Sequence, residues 1–286
     1  MKLGQKIAVN YLRARLNIMA VVSTQRAAKK AFEIFSTPYY KSKKKYPAIF
    51  DKGEKIAFEL QGLSIKGYRF NYPQENKVLI IHGFESSIKN FERYINPLVK
   101  KGYEVIAFDA PAHGRSDGKR IILPMYIKML EEICERYGPI NHFMSHSFGG
   151  LALAHLLEKL PHTNATKAVL IAPATETTTA IDSFFKFLDL GKEIRIPFDQ
   201  YIFDQSGVHP SYYSIRRAIR NVEAHILWIH DEDDEITPLK DALNIKEENH
   251  PNIEFEITKG LGHRKIYRDS KVVKRIIDFY NSCPAK

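Results

Sequence analysis

A chain of 286 residues, 44% hydrophobic and 27% charged, has enough apolar material for one large α/β domain, and no apolar run approaches the roughly 18 residues that cross a bilayer. The net charge of +10 sits at one end: residues 1–55 hold thirteen Lys or Arg against three acids, so the rest of the chain balances to zero. Two cysteines, Cys134 and Cys283, exclude a disulfide framework and offer no metal-ligand spacing, which suits a reducing, cytoplasmic compartment.

In residues 3–35, Ile7, Tyr11, Ala14, Ile18, Val21, Ala28, Phe32 and Phe35 recur at three- and four-residue steps, which predicts one amphipathic helix or two. Arg13 and Arg15 interrupt the apolar stretch that a secretion signal requires, so none is expected. The segment TPYYKSKKKYP, with Pro38 and Pro47 around a lysine cluster, reads as a linker. Residues 1–53 are therefore expected to form a basic helical extension, and residues 54–283 a compact domain. KIAFEL and LSIKGYRFNY, joined by Gln61-Gly62, alternate as an antiparallel hairpin does.

From residue 77 the pattern changes: KVLIIHG, EVIAFDAP, NHFMSHS, KAVLIAPA, AHILWIH and IEFEIT are short apolar runs separated by helical patterns. Helices are expected near 87–100, 122–137, from 149, 238–247 and 270–281. This alternation predicts an α/β fold, a mostly parallel sheet with helices on both faces. An aromatic excursion at about 174–223 interrupts it and is expected to form a lid.

Ser147, in FMSHSFGG, stands where a buried strand ends and the apolar helix LALAHLLEKL begins. A plain helix N-cap is one reading. The other is a nucleophile on a sharp turn, with Ser145 and Gly149 small enough to let strand and helix backbones approach. On these residues the chain resembles the α/β-hydrolase family over roughly residues 54–283, departing from G-x-S-x-G only by Ser145. A serine in this turn disfavours haloalkane dehalogenase chemistry, which places an aspartate there.

A serine hydroxyl needs a base, and the base needs an orienting acid. The resemblance implies the chain order Ser, acid, His. His263 in KGLGHRKI is the candidate base. In HDEDDEITP, Asp234 lies four residues before Pro238, as the family's acid often does, and Asp233 stays open as an alternative because Asp231 occupies the family's usual glycine position. HGF after KVLII matches the family's oxyanion loop, which assigns the backbone N–H groups of Phe84 and Phe148 to the oxyanion hole. FDAPAHGRS resembles a scaffold turn with Ala112 for a glycine, and His82, His113 and His146 are expected to support the site by hydrogen bonding.

The implied function is a serine hydrolase acting on a carboxylic ester or related small-molecule acyl compound, without cofactor or metal. IDSFFKFLDL suggests Phe184 and Phe185 as substrate contacts, although the same rings could pack the lid. The alternative is a binding or membrane-surface protein that kept the fold without catalysis. Lysines without a recognition motif do not indicate nucleic acid. The basic arm could meet an anionic membrane surface, dock on the hydrolase domain or pair two subunits as a homodimer; Arg13 and Arg15 within its apolar stretch weigh against the membrane.

Overall fold

The computed structural model describes residues 3–40 and 45–282; Cys283 and most of the lysine cluster lie outside the described residues. In chain order come helices α1 (Leu3–Val22) and α2 (Thr24–Phe35), then strands β1 (Glu54–Leu60), β2 (Leu63–Phe70) and β3 (Lys77–Ile81). Helix α3 (Glu92–Lys100), β4 (Glu104–Phe108), α4 (Leu123–Tyr137), β5 (His142–His146), α5 (Phe148–Leu157) and β6 (Lys167–Ile171) follow. Helices α6 (Thr177–Leu188), α7 (Lys192–Ser206) and α8 (Ile215–Ala218) precede β7 (His225–Asp231), α9 (Leu239–Glu247), β8 (Ile253–Thr258), α10 (Gly262–Lys265) and α11 (Ser270–Asn281).

The described residues divide into two compact units, a sheet unit of Pro38–Thr175 with the chain from Ala218 onward, and a helical unit of the chain up to Thr37 with Glu176–Arg217. The sheet unit holds eight strands in the order β1-β2-β4-β3-β5-β6-β7-β8. Its first two strands form the expected hairpin, turned by Gln61 (φ 49°) and Gly62 (φ 76°), the double positive φ that matches the twist of the flanking strands. β2 runs antiparallel to β4, and every later pairing is parallel, with Val78 opposite Val105 and Met144 opposite Val169.

Burial on both faces explains the continuous apolar runs. Val78, Ile80, Met144, Val169 and Leu227 join one core with Tyr94, Leu98 and Ile276 of α3 and α11. Their strand neighbours Leu79, Phe143, Leu170 and Trp228 point the other way and are equally buried. Helices therefore cover both faces, and because β5 to β8 pair in parallel, the carboxyl ends of β5, β7 and β8 lie at the same end of the sheet.

The compact sheet unit starts earlier than expected, at Pro38 rather than residue 54. Phe50 is buried against Tyr68 and Phe70, and the Tyr46 hydroxyl donates to Asp109. These aromatic contacts hold the segment after the lysines to the sheet.

The basic extension and the expected lid are not separate elements. α1, α2, α6 and α7 share one core of Leu16, Ala28, Ala31, Ile181, Phe185 and Phe198. Ser23 caps α2 by accepting from the Arg26 N–H at 3.3 Å, which divides the predicted helical stretch into two. Within α1 the buried face is Val9, Leu12, Leu16 and Met19, while the predicted stripe of Ile7, Tyr11, Ile18 and Val21 is exposed. The helix is apolar on two opposite sides, so periodicity alone could not say which side faced a core. Among the described residues no helix is long and apolar enough to cross a membrane.

Candidate active site

β5 delivers its chain into a turn at Ser147, whose backbone adopts φ 55° and ψ −125°. Such a conformation is costly for a residue with a side chain and persists where surrounding structure imposes it. The packing shows what imposes it. A Cβ on Gly149 would lie 2.6 Å from the His82 carbonyl oxygen, and one on Gly150 would lie 2.6 Å from Pro173. Strand and helix thus approach only because both residues are glycine. Ser145, the departure from the family pattern, lies in the extended backbone of β5, where no glycine is required, and its hydroxyl donates to the Val169 carbonyl at 3.0 Å.

His263 is the second residue of α10, after Gly260 (φ 83°) and Gly262 (φ 57°), which opens that helix. Ser147 Oγ donates to His263 Nε2 at 3.0 Å, and His263 Nδ1 donates to Asp234 Oδ2 at 2.8 Å. The three expected residues therefore meet in chain order Ser, Asp, His. Asp234 is held by four donations: Thr237 Oγ1 to Oδ2 at 2.8 Å, the N–H groups of Ile236 and Thr237 to Oδ1 at 2.8 and 2.9 Å, and His263. Burial pushes its pKa up, but the His263 bond and charge, with the two backbone donors, bring it below the ordinary value. The alternative acid, Asp233, is exposed and accepts from the Gly260 N–H at 2.9 Å.

Asp231, at the family's glycine position, is the residue whose part the sequence did not disclose. Oδ1 accepts from the N–H groups of Gly262 and Asp233 at 2.8 and 3.0 Å, and Oδ2 from Leu261 N–H and the Thr258 hydroxyl at 3.1 and 2.7 Å. Burial raises its pKa, yet these four donors leave it lowered. It fastens the loop that presents His263 to the loop that presents Asp234. Thr237, three residues after Asp234, was equally unmarked.

The supporting histidines do form hydrogen bonds. His146 Nε2 donates to the His263 carbonyl at 3.0 Å, with its ring centroid 4.6 Å from the His263 ring and 4.5 Å from that of Tyr267. Burial, then the neighbouring His263, hold its pKa well below the usual histidine value, so it stays neutral. His82 Nε2 accepts from the Ala110 N–H at 2.9 Å, and His113 Nε2 from the Glu85 N–H at 3.0 Å, tying the HGF loop to the FDAPAHGRS turn. Asp109 anchors that turn by accepting from the Ile88 and Arg115 N–H groups at 3.1 and 2.9 Å, and Ala112 adopts φ 66° where the family has glycine.

The HGF loop lies against the serine: a Cβ on Gly83 would meet Ser147 Cβ at 2.8 Å. The rings of Phe84 and Phe148 pack edge to face at 6.1 Å. Among the described residues neither backbone N–H has a protein acceptor. Phe184 and Phe185, expected as substrate contacts, pack inside the helical unit. Phe184 lies 5.3 Å from Phe35, and Phe185 5.1 Å from Phe198, because α6 turns its aromatic side toward α2 and α7. Among the described residues no three His, Cys, Asp or Glu side chains are grouped as a metal ion would need.

The family model described as serine aminopeptidase, S33, matches residues 72–196, which include the HGF loop and Ser147. Bacillus subtilis (strain 168) YqkD is 24% identical over 258 residues, 81% of this chain and 82% of that protein. YugF of the same strain, described as an uncharacterized hydrolase, is 27% identical over 110 residues, so the match spans 36% of this chain and 39% of that protein. The Pyrococcus furiosus esterase Pf2001 superposes with a TM-score of 0.63 at 17% identity, covering 86% of this chain and 96% of that one. With the mostly parallel sheet and the strand-to-helix turn at Ser147, the structural match shows that the chain has the α/β-hydrolase fold.

Proposed function

We propose that the protein is a serine hydrolase that cleaves a carboxylic ester or related acyl compound through an acyl-enzyme. The reading rests on one relationship, the hydrogen-bonded chain Ser147 Oγ to His263 Nε2 at 3.0 Å and His263 Nδ1 to Asp234 at 2.8 Å. His263 Nε2 takes the hydroxyl proton as Ser147 Oγ attacks the acyl carbon, and Asp234 stabilises the resulting imidazolium. The carbonyl oxygen becomes an oxyanion beside the N–H groups of Phe84 and Phe148. The intermediate collapses as the imidazolium returns the proton to the leaving alcohol. Water, deprotonated by the same nitrogen, then attacks the acyl carbon, and collapse of the second intermediate frees the acid and restores Ser147.

An ester is favoured over the amide suggested by the name of the matching family model, because a solved structure similar over 86% of the chain is called an esterase. The same atoms would serve either bond, so the two are separated by substrate. Purified protein is expected to hydrolyse p-nitrophenyl acetate or butyrate, and Ser147→Ala to lower kcat by about four to six orders of magnitude. Folded Ser147→Ala with most of its activity intact would refute the reading, and faster release from aminoacyl-p-nitroanilides than from esters would reassign the substrate.

A further inference from the structure

Helix α1 is apolar on two sides. Val9, Leu12, Leu16 and Met19 enter the core of the helical unit. On the opposite side Ile7, Tyr11, Ile18, Val21 and Val22 are all exposed, Ile18 by 69% and Val21 by 89%. At about 100° per residue these five fall within an arc of about 100°, a continuous row roughly 22 Å long. Single exposed apolar residues are ordinary, but an unbroken row marks a surface that meets something. Beside it opens a groove of about 580 Å³, lined by Tyr11, Ile18 and Val22 with Arg15 and Arg26.

The charges around the row identify the partner. α1 carries Lys6, Arg13 and Arg15 and no acid, and residues 1–37 hold seven Lys or Arg against Glu33 alone. Arg13 turns inward, donating to the Leu188 carbonyl at 3.0 Å and pairing with Asp189 at 3.6 Å. Glu33 pairs with Lys30 at 2.9 Å. Lys6, Arg15 and Arg26 flank the row and are exposed. A symmetric contact with a second copy would bring these cations against their own mates, with no acid on α1 to neutralise them.

We propose that this face of α1 lies on an anionic lipid surface, with Ile7, Tyr11, Ile18, Val21 and Val22 entering the boundary between headgroups and acyl chains. Lys6, Arg15 and Arg26 then meet headgroup phosphates, and the helix lies in the plane of the surface rather than crossing it. The inference is independent of the hydrolase reading.

The test is sedimentation of the full chain with phosphatidylcholine vesicles and with vesicles of phosphatidylcholine mixed with phosphatidylglycerol. Binding is expected to the mixed vesicles at low salt, weakening at least about tenfold at 1 M NaCl, where the Debye length is about 3 Å. Ile18→Glu with Val21→Glu, both at exposed positions, is expected to abolish it, with circular dichroism unchanged. Arg15→Glu with Arg26→Glu should reduce it about tenfold. Absence of binding to the mixed vesicles, or equal binding to phosphatidylcholine alone, overturns the proposal. A dimer in light scattering that Ile18→Glu dissociates also overturns it, and assigns the row to a second copy.

Discussion

Asp231 Oδ1 accepts the backbone N–H of Gly262 at 2.8 Å, one residue before His263. The imidazole that meets Ser147 is therefore set not only by Asp234 but by a second carboxylate that never touches it. Asp231→Ala removes the acceptor for Gly262, Leu261 and Asp233 together, so the His263 loop loses its anchor. A displacement of about 1 Å at a reacting group costs on the order of a hundredfold. We predict a fall of ten- to a hundredfold, roughly, in kcat for ester hydrolysis with KM little changed, and Asp231→Asn between the two. Unaltered kcat in Asp231→Ala would remove it as a positioning residue.

The two neighbouring acids are predicted to differ sharply. Asp234→Asn takes the charge from beside His263 and disturbs its tautomer, a change worth on the order of 10⁴ in kcat in triads of this kind. Asp233→Asn alters an exposed contact to the Gly260 N–H and is expected to leave kcat within about threefold. Steady-state rates of the two variants on one p-nitrophenyl ester check the assignment; the reverse ranking would transfer the acid to Asp233.

Phe185 packs against Phe198 at 5.1 Å and is almost fully buried in the helical unit. Phe185→Ala is predicted to destabilise that unit by about 3–5 kcal/mol, the usual cost of emptying a buried phenylalanine site. Urea unfolding of the full chain should show it as an earlier transition. A variant as stable as the parent but altered in acyl-chain preference would return Phe185 to the substrate.

Stability is predicted to fall on the acid side of neutrality. Burial, followed by the charge of Lys167, lowers the His142 pKa to about 4 from an ordinary value of 6.5. Between these values the unfolded chain binds a proton that the folded chain refuses. The contribution is therefore fully present above pH 6.5 and lost as pH falls towards 4, with a slope of about 1.4 kcal/mol per pH unit for one proton. His82, His146 and His230 are shifted in the same direction, each chiefly by burial. The melting temperature should drop between pH 7 and 5, and His142→Gln should lessen the drop; an unchanged slope would contradict this role for His142.

Local signals read well where one residue decides the backbone. Gln61-Gly62 marks a hairpin that forms, and the helix expected at 270–281 is α11, Ser270–Asn281, capped by Asp269. Ser147 was legible because a strand run, small residues and a helix run meet there. What sequence did not reveal depends on partners distant in the chain. The Asp231 carboxylate is used thirty-one residues later, at Gly262. The aromatic ring of Phe185 packs against Phe198, and α1 and α2 share a core with a segment about 150 residues away. The apolar stripe of α1 was visible, yet its partner was not, since a helix apolar on two sides offers either to a core.

In the proposed reaction Ser147 is a nucleophile activated by His263. Incubating the purified protein with a fluorophosphonate and mapping the modified peptide by mass spectrometry tests it most directly. A single adduct on Ser147 is expected, absent in Ser147→Ala and slowed by at least about a thousandfold in His263→Ala. A folded protein that leaves Ser147 unmodified, or an adduct forming equally fast without His263, would contradict it.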